Sequence, residues 1–562
     1  MDNRLIECVP NFSEGRDENI IKSITSVIET VEGIKLLDVD PGKATNRTVV
    51  TFVGNPDNVI EAAFLAIKKA SELIDMSKHS GEHPRMGATD VCPLIPISNI
   101  SIEETVEYAK KLAKRVAEEI NIPTYLYEEA ASKPERKNLS TIRSGEYEGL
   151  AKKLQNPEWM PDFGQAVFNA KSGATVIGVR DFLIAYNVNL NTKSTKKANA
   201  IAFDVREQGR IKRIGDPVTG EIVKDENGNS VREPGSLKFV KAIGWFIKEF
   251  DIAQISMNLT DYKTTPVHIA FDEVVKKADQ RGIRVTGSEI VGMVPLKVML
   301  DAGIHYLKKQ DRSYGVSEKE LIHIAVKSLG LDELYPFEPN KKIIEYALNN
   351  QNDSPLINMT LKDFADETAS ESPAPGGGSI SAFLGVLAFS LTSMVANLSA
   401  NKRGWENKIA EMSECAYQSQ QIKDRLLKLV DEDTKSFNQV MSAMALPKST
   451  DIEKELRDKA IESSNKYAAE VPFKVMQTIF ESLKLIKQMV EFGNPNSITD
   501  AGVAALCAKS GIIGAFLNVK INVSGINDKD FSDKLLLEGN KIVEETKKIE
   551  EEILKTVEAK IA

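Results

Sequence analysis

The chain has 562 residues, 42% of them apolar, and a formal net charge of −9 at pH 7. That length holds about three or four domains with a core each, and the acidic balance argues against a general nucleic-acid surface. Cys8, Cys92, Cys415 and Cys507 are scattered and form no CxxC pair, and Met1-Asp2-Asn3-Arg4 lacks the regions of a signal peptide, which together predict a reduced, cytoplasmic chain.

In chain order, β-branched runs bounded by Pro, Gly and Asn predict strands over 5–9, 34–40 and 48–53. Apolar periodicity predicts helices over 19–29, 57–74 and 102–120. An α/β sandwich, with helices packed on one side of a mixed sheet, accommodates that order. Pro10 to Gly15 follows the first strand and reads either as a helix entry capped by Asn11 or Ser13 or as site residues gathered at a strand end. Asp38, Asp40 and Asn46-Arg47 read either as turn residues or as substrate contacts.

Between the second helix and the next strand lies His79-Ser80-Gly81-Glu82-His83-Pro84-Arg85-Met86-Gly87-Ala88-Thr89-Asp90. Two of the five histidines sit there beside an acid and an arginine, which marks a reactive loop. Gly81 and Pro84 oppose a helix, so the His79/His83 spacing of four is not a helical zinc pair, and no metal is expected. Pro84 restricts His83 to extended backbone and presents its imidazole from a fixed position. His79 is assigned a hydrogen bond within the loop, His83 the chemistry, and Arg85 an anion.

After a strand over 123–127 and a basic region over 133–153 comes Trp159 to Gly173, an irregular mix of aromatics and glycines. It reads as a domain-joining loop or as a surface for a flat ring. A long strand is predicted over 174–188. Helices over 195–206 and 265–280 and strands over 238–244, 253–259 and 283–286 predict a second α/β sandwich. Glu226-Asn227-Gly228-Asn229 signals a hairpin over 218–231, and Gly287 to Gly292 reads as a glycine turn. The 335–357 stretch, rich in Pro, Asn and Asp, is a linker. Beyond it, helical patterns over 379–399, 405–444, 451–480, 498–516 and 531–560, with one brief strand-like run at 519–523, predict an all-α helical bundle. The divisions are 1–181 and 182–335 for the two sandwich subdomains, 336–357 for the linker and 358–562 for the bundle. Residues 380–398 are apolar enough for a membrane span, but Ser381, Gly385, Ser390, Thr392, Ser393 and Asn397 mark a buried bundle helix, so no membrane is expected.

Ala374-Pro375-Gly376-Gly377-Gly378-Ser379 precedes that helix as an anion-binding start or a tight turn; no Gly-Lys-Ser/Thr follows to make it a nucleotide loop. Asp433 falls on an apolar stripe with Leu426, Val430, Phe437 and Val440 or Met441, whereas Asp431 and Glu432 point elsewhere, to solvent. A carboxylate facing a bundle interior is paired or used. It serves either as a general acid kept protonated by desolvation or as a salt bridge to Lys402 or Arg403. Asn397, Asn494 and Asp500 are further polar candidates there.

The stretches ECVPNFSEGR at 7–16, DVDPGKATNRTVVTFVG at 38–54 and GEHPRMGATDVCPLIP at 81–96 resemble glutamate formimidoyltransferase, and SPAPGGGSISAF at 372–383 resembles the start of a formimidoyltetrahydrofolate cyclodeaminase. The whole chain resembles the bifunctional formimidoyltransferase-cyclodeaminase family of histidine degradation. The resemblance implies transfer of a formimidoyl group from N-formimidoyl-L-glutamate to N5 of tetrahydrofolate, then closure to 5,10-methenyltetrahydrofolate with release of ammonia. It implies His83 and Asp433 as the catalytic residues. Folate is placed along Gly164, Gln165, Ala166, Val167, Phe168, Asn169, Ala170, Lys171, Ser172 and Gly173. Asn11, Asp40, Arg47 and Arg85 are the candidate contacts to the amino-acid substrate. By family analogy the protein is a ring-like homo-oligomer, and Lys152-Lys153 tethers a polyglutamyl folate between sites. Competing readings are a transferase with an inactive helical oligomerisation domain, a metal hydrolase using His79, His83 and Asp90, and a helical membrane anchor.

Overall fold

The computed structural model describes residues 4–43, 45–81, 84–215, 219–348 and 355–562. Contacts divide the chain into two units, Met1–Val298 with Val326–Leu348, and Met299–Ala325 with Asn349–Ala562.

The first unit opens with a seven-stranded mixed sheet made of β1 (Leu5–Cys8), β2 (Asn11–Phe12), β3 (Lys35–Gly42), β4 (Arg47–Gly54), β5 (Thr89–Ser98), β6 (Thr124–Glu128) and β7 (Thr175–Val179). Its order is β1-β4-β2-β5-β7-β6, with β3 on β4; the β5–β7 and β6–β7 pairs are parallel. Helices α1 (Glu18–Ile28), α2 (Pro56–Leu73) and α3 (Ile102–Glu119) start where local chemistry dictates. Asp17 caps α1, Asn55 with Pro56 opens α2, and Ser101 and Glu104 form a capping box on α3. Ile6, Cys8, Val50, Phe52, Cys92, Leu94, Ile177 and Val179 join the core against these helices. Strand alternation therefore turns Glu7, Asn11 and Arg47 to the other face. The short helices α4 (Leu139–Arg143) and α5 (Glu146–Lys153) follow β6.

The long strand expected over 174–188 is two strands: β7 ends at Val179, and β8 (Ile184–Leu190) belongs to the second sheet. The break falls at the charged pair Arg180-Asp181, between two strand-forming runs. After α6 (Thr195–Val205), a protruding hairpin is built from β9 (Arg210–Ile211), β10 (Arg213–Ile214), β11 (Glu221–Ile222) and β12 (Arg232–Glu233), with Gly228 at φ 81° in its turn. Its Val218 lies outside the described residues. Strands β13 (Val240–Ile247), β14 (Ile252–Leu259) and β15 (Val285–Val291) complete an antiparallel sheet in the order β13-β14-β8-β15, with α7 (Val267–Asp279) between β14 and β15 in the chain. Of the Gly287 to Gly292 stretch read as a turn, Gly287–Val291 is strand: Gly287 sits beside a register shift, and a Cβ there would stand 2.7 Å from the Gly330 carbonyl. Next come α8 (Leu296–Lys309), α9 (Glu318–Leu329), α10 (Pro339–Lys342) and α11 (Ile344–Leu348); Ile343 is buried and bridges to Val294.

The second unit is helical: most of α8 and α9, then α12 (Leu361–Thr368), α13 (Gly377–Ala400), α14 (Ile409–Met444), α15 (Asp451–Phe480), α16 (Leu483–Phe492), α17 (Ile498–Val523) and α18 (Lys529–Ile561). Helices α13 and α17 are long and apolar enough to cross a membrane, yet both pack at the centre, where Ala382, Phe389, Ala396, Ala504, Ile512 and Ala515 are core. The strand-like run at 519–523 is the last turn of α17: Val519 and Val523, four apart, face the core, and helical packing overrides β-branched propensity.

Glu7 is 2% exposed, and burial raises its carboxyl from 4.5 to about 7, with the charge of Arg180 opposing the rise. A folded-state value above the unfolded one means the carboxylate destabilises the fold above pH 7 and costs nothing below pH 4.5. Glu7→Gln should therefore stabilise the protein by about 3 kcal/mol well above pH 7 and give no gain below pH 4.5, read from denaturant midpoints at the two pH values.

Candidate active sites

The reactive loop is held from behind by the turn before β4. His79 Nε2 lies 2.9 Å from the Asn46 carbonyl and must donate to it, which leaves Nδ1 to accept from Arg85 Nε at 3.2 Å. Asn46 answers with Nδ2 to the Ser80 carbonyl at 3.0 Å, while its Oδ1 accepts the Gly15 N–H. A Cβ on Gly81 would stand 2.3 Å from the Thr45 carbonyl, so the loop passes there only as glycine. His79 thus holds the loop. Glu82 and His83, the expected catalytic histidine, lie outside the described residues.

Arg85 does not stand open for an anion. It is buried and donates to Glu148 at 2.7 and 2.9 Å, to Glu146 at 3.1 Å and to His79, with the Glu148 hydrogen bond raising its pKa against its burial. His79, Ser80, Gly81, Arg85, Gly145, Glu146 and Glu148 line an open hollow of about 510 Å³.

Asp90 closes the other end of the loop. Fully buried, it accepts Met86 N–H at 3.0 Å, Arg143 Nε at 3.3 Å, and further bonds from Arg47 and Arg143. Burial pushes its carboxyl up, but the two guanidiniums outweigh this and hold it below the usual range. Arg47 also donates to Asn11 Oδ1 at 2.8 and 3.0 Å, and Asn11 Nδ2 reaches the Val9 carbonyl. Arg47 and Asn11 therefore meet; Asp40 is exposed on β3, opposite Val49, and joins none of these bonds. Asp90 is ion-paired to two arginines, and among the described residues no group of three or more His, Cys, Asp or Glu side chains is placed to hold a metal.

The Gly164–Gly173 segment is joined to this loop through main chain. Gly173 (φ 66°) bridges Gly87, Ala88 N–H donates to the Ser172 carbonyl at 2.9 Å, Ala174 N–H to Met86 at 3.2 Å, and Met76 N–H to Lys171 at 2.9 Å. Asn169 turns the segment by accepting from Ser172 and Gly173 N–H groups. From Gly164 (φ 90°) to Ala170 it lies at the surface, with Gln165 and Val167 exposed and Ala166 and Phe168 half-buried. Tyr147, missed in the sequence, ties the parts: its N–H meets the Arg85 carbonyl at 2.8 Å, its hydroxyl the Ala170 carbonyl, and its ring lies 5.5 Å from Phe168. Lys153 is not a free tether, since its ammonium donates to the Thr141, Ile142 and Ser144 carbonyls, and burial lowers its pKa to about 8.

In the helical unit, Asp433 on α14 meets the start of α13. Ser379 Oγ stands 3.3 Å from Oδ2, the Ser379 N–H donates as well, and a Cβ on Gly378 would lie 2.1 Å from Oδ1. Burial raises its carboxyl above the usual range even though these hydrogen bonds pull it down. No ion pair with Lys402 or Arg403 forms; Lys402 lies over the Trp405 ring. The stripe holds only at Leu426 and Val430: Phe437 and Met441 are 37% and 52% exposed. Asp431 and Glu432 are not solvated side chains. Asp431 is buried and accepts the Leu356 and Ile357 N–H groups at 2.9 and 3.4 Å, and Glu432 accepts the Tyr467 hydroxyl. Asn397 binds the Ser313–Gly315 turn, Asn494 caps the turn at Pro495, and Asp500 lies in the first turn of α17, so none of them joins Asp433.

Comparison with known proteins agrees along the chain. The family models described as "Formiminotransferase domain, N-terminal subdomain", "Formiminotransferase domain" and "Formiminotransferase-cyclodeaminase" match residues 5–180, 185–349 and 360–541. The chain is 40% identical to a formimidoyltransferase-cyclodeaminase of Mus musculus over 99% of both chains. It is 38% identical to a glutamate formimidoyltransferase of Streptococcus pyogenes serotype M1, over 55% of this chain and 96% of that one. It is 35% identical to a methenyltetrahydrofolate cyclohydrolase of Methylorubrum extorquens, over 36% of this chain and 98% of that one. Two α/β sandwiches and a helical bundle, with one polar site in the first sandwich and one in the bundle, define a two-part enzyme of folate one-carbon chemistry. The chain belongs to the formimidoyltransferase-cyclodeaminase family.

The neighbouring acids of α14 should separate by stability. Asp431→Ala strands the buried Leu356 N–H and frees the part-buried Ile357 N–H, and should cost about 1–3 kcal/mol. Asp433→Asn removes a carboxyl whose folded pKa is raised, so at neutral pH and above it should cost little or stabilise; urea unfolding of both variants checks this.

Proposed function

We propose that this chain is a bifunctional folate enzyme. It transfers the formimidoyl group of N-formimidoyl-L-glutamate to tetrahydrofolate at the sandwich site, then closes 5-formimidoyltetrahydrofolate to 5,10-methenyltetrahydrofolate in the bundle, releasing ammonia. The observation that supports the reading is the main-chain joint of Met86–Ala88 with Ser172–Ala174, which ties the end of the reactive loop to the Gly164–Gly173 segment proposed for the pteridine. In transfer, N5 loses a proton as it attacks the amidine carbon and the glutamate nitrogen gains one as it leaves; an imidazole titrating near neutrality serves both steps, and we assign them to His83. In closure, N10 attacks the same carbon and its proton passes to the leaving nitrogen, which takes a second from Asp433 and departs as ammonia; burial of Asp433 favours its protonated form. Neither step as written calls on a metal.

The reading extends to histidine degradation in the cytoplasm and to a homo-oligomer. The exposed Leu387, Met394 and Leu398 on α13 and Val503 and Leu506 on α17 support self-association.

With N-formimidoylglutamate and tetrahydrofolate supplied to the purified protein, glutamate and ammonia should appear together. His83→Ala should lower transfer by about 10²-fold or more while sparing closure of supplied 5-formimidoyltetrahydrofolate, and Asp433→Asn should do the reverse. Loss of both activities in either folded variant would contradict the two-site assignment.

A further inference from the structure

Arg143 carries an unassigned guanidinium edge at the place where the motifs of the first sheet converge. Asp90 takes one edge, with Nε on Oδ1 and Nη2 on Oδ2. Five N–H donors lie in the plane of a guanidinium, and among the described residues Nη1 has no acceptor, although the side chain is only 13% exposed. The other buried arginines of this sheet differ. Arg85 is occupied by Glu146, Glu148 and His79, and both terminal nitrogens of Arg136 are taken, by Asp162 and by the Glu158 and Met160 carbonyls, leaving only its buried Nε without an acceptor.

The mount for Arg143 is rigid. It is the last residue of α4, whose final carbonyls receive the Lys153 ammonium. Asp90 also takes Arg47, which grips Asn11, so residues from three separate stretches meet on one carboxylate. The chain then runs through Gly145 to Glu146, Tyr147 and Glu148, which clasp Arg85, two residues beyond His83.

We infer that Arg143 binds a carboxylate of N-formimidoylglutamate through its outer Nη1/Nη2 edge, with Asp90 and Lys153 as positioning residues. A planar fork fixed on one side and open on the other matches a carboxylate bidentately. Asn169 and Gly164 of the exposed Gly164–Ala170 stretch lie against Asn121 and Pro123, and among the described residues no bond joins that stretch to Asp90 or Arg143, which favours the amino acid over the folate as the partner of Arg143. The inference rests on the transferase reading above.

The test measures KM for each substrate in the full-length wild-type, Arg143→Gln and Arg143→Lys proteins, together with closure of supplied 5-formimidoyltetrahydrofolate. Arg143→Gln should raise KM for N-formimidoylglutamate about tenfold or more and leave KM for tetrahydrofolate and the closure rate within about twofold. Arg143→Lys, which keeps the charge but not the fork, should give an intermediate rise and carries the test if the glutamine variant does not fold. An unchanged KM for N-formimidoylglutamate, or an equal rise in both KM values, overturns the inference. A wild-type protein that closes supplied 5-formimidoyltetrahydrofolate but releases no glutamate overturns the transferase reading and the inference with it.

Discussion

The sandwich site depends on a backbone contact between two glycines. A Cβ on Gly173 would stand 2.1 Å from the Met86 carbonyl, and one on Gly87 would stand 2.4 Å from that of Ala174. With no side chain at either position, two segments more than eighty residues apart meet as paired main chain beyond the end of a parallel strand pair. Loops at strand ends are where rigid sheets present chemistry. Here one such loop is fixed at its back by His79 and Asn46, at its base by Asp90, and along its side by Tyr147, Glu146 and Glu148.

The helical site follows the same device. Gly378 lets the Asp433 carboxylate lie against the first turn of α13, where Ser379 meets it with both N–H and hydroxyl. Burial and hydrogen bonding oppose one another there, and burial wins, so the acid is held neither as a fully solvated carboxylate nor as an ion pair. Asp431, two residues away, shows the contrast: its two backbone donors satisfy it, and its work is to fasten residues 356–357 to α14.

Much of this was legible in the residues. The helices of the first sandwich begin at caps that are local in sequence, and the boundary between mixed sheets and bundle follows the change of period from two to 3.6. Gly81 and Pro84 excluded a helix at the reactive loop, and the position of Asp433 foretold a carboxyl at least partly withdrawn from water. What escaped was set by partners far along the chain. Nothing near Arg85 announces Glu146 and Glu148, nothing near Asp90 announces Arg143, and Lys153 looks like a surface lysine until its three carbonyls are known. Asp431 looked solvated because periodicity describes one helix, whereas its acceptors serve a segment arriving from outside it. Phe437 and Met441 lie beyond the point where α13 begins, opposite Val430 and Asp433, which a helical wheel cannot display.

The central claim is that the reactive loop and the glycine segment act as one platform, and Tyr147 offers a probe of it because its hydroxyl reaches the Ala170 carbonyl while its N–H stays on Arg85. The measurement is KM for tetrahydrofolate in the transfer reaction of Tyr147→Phe, which keeps the ring against Phe168 and removes one hydrogen bond. The account predicts a rise of about threefold to tenfold, with KM for N-formimidoylglutamate unchanged. An unchanged KM for tetrahydrofolate in the folded variant would contradict it.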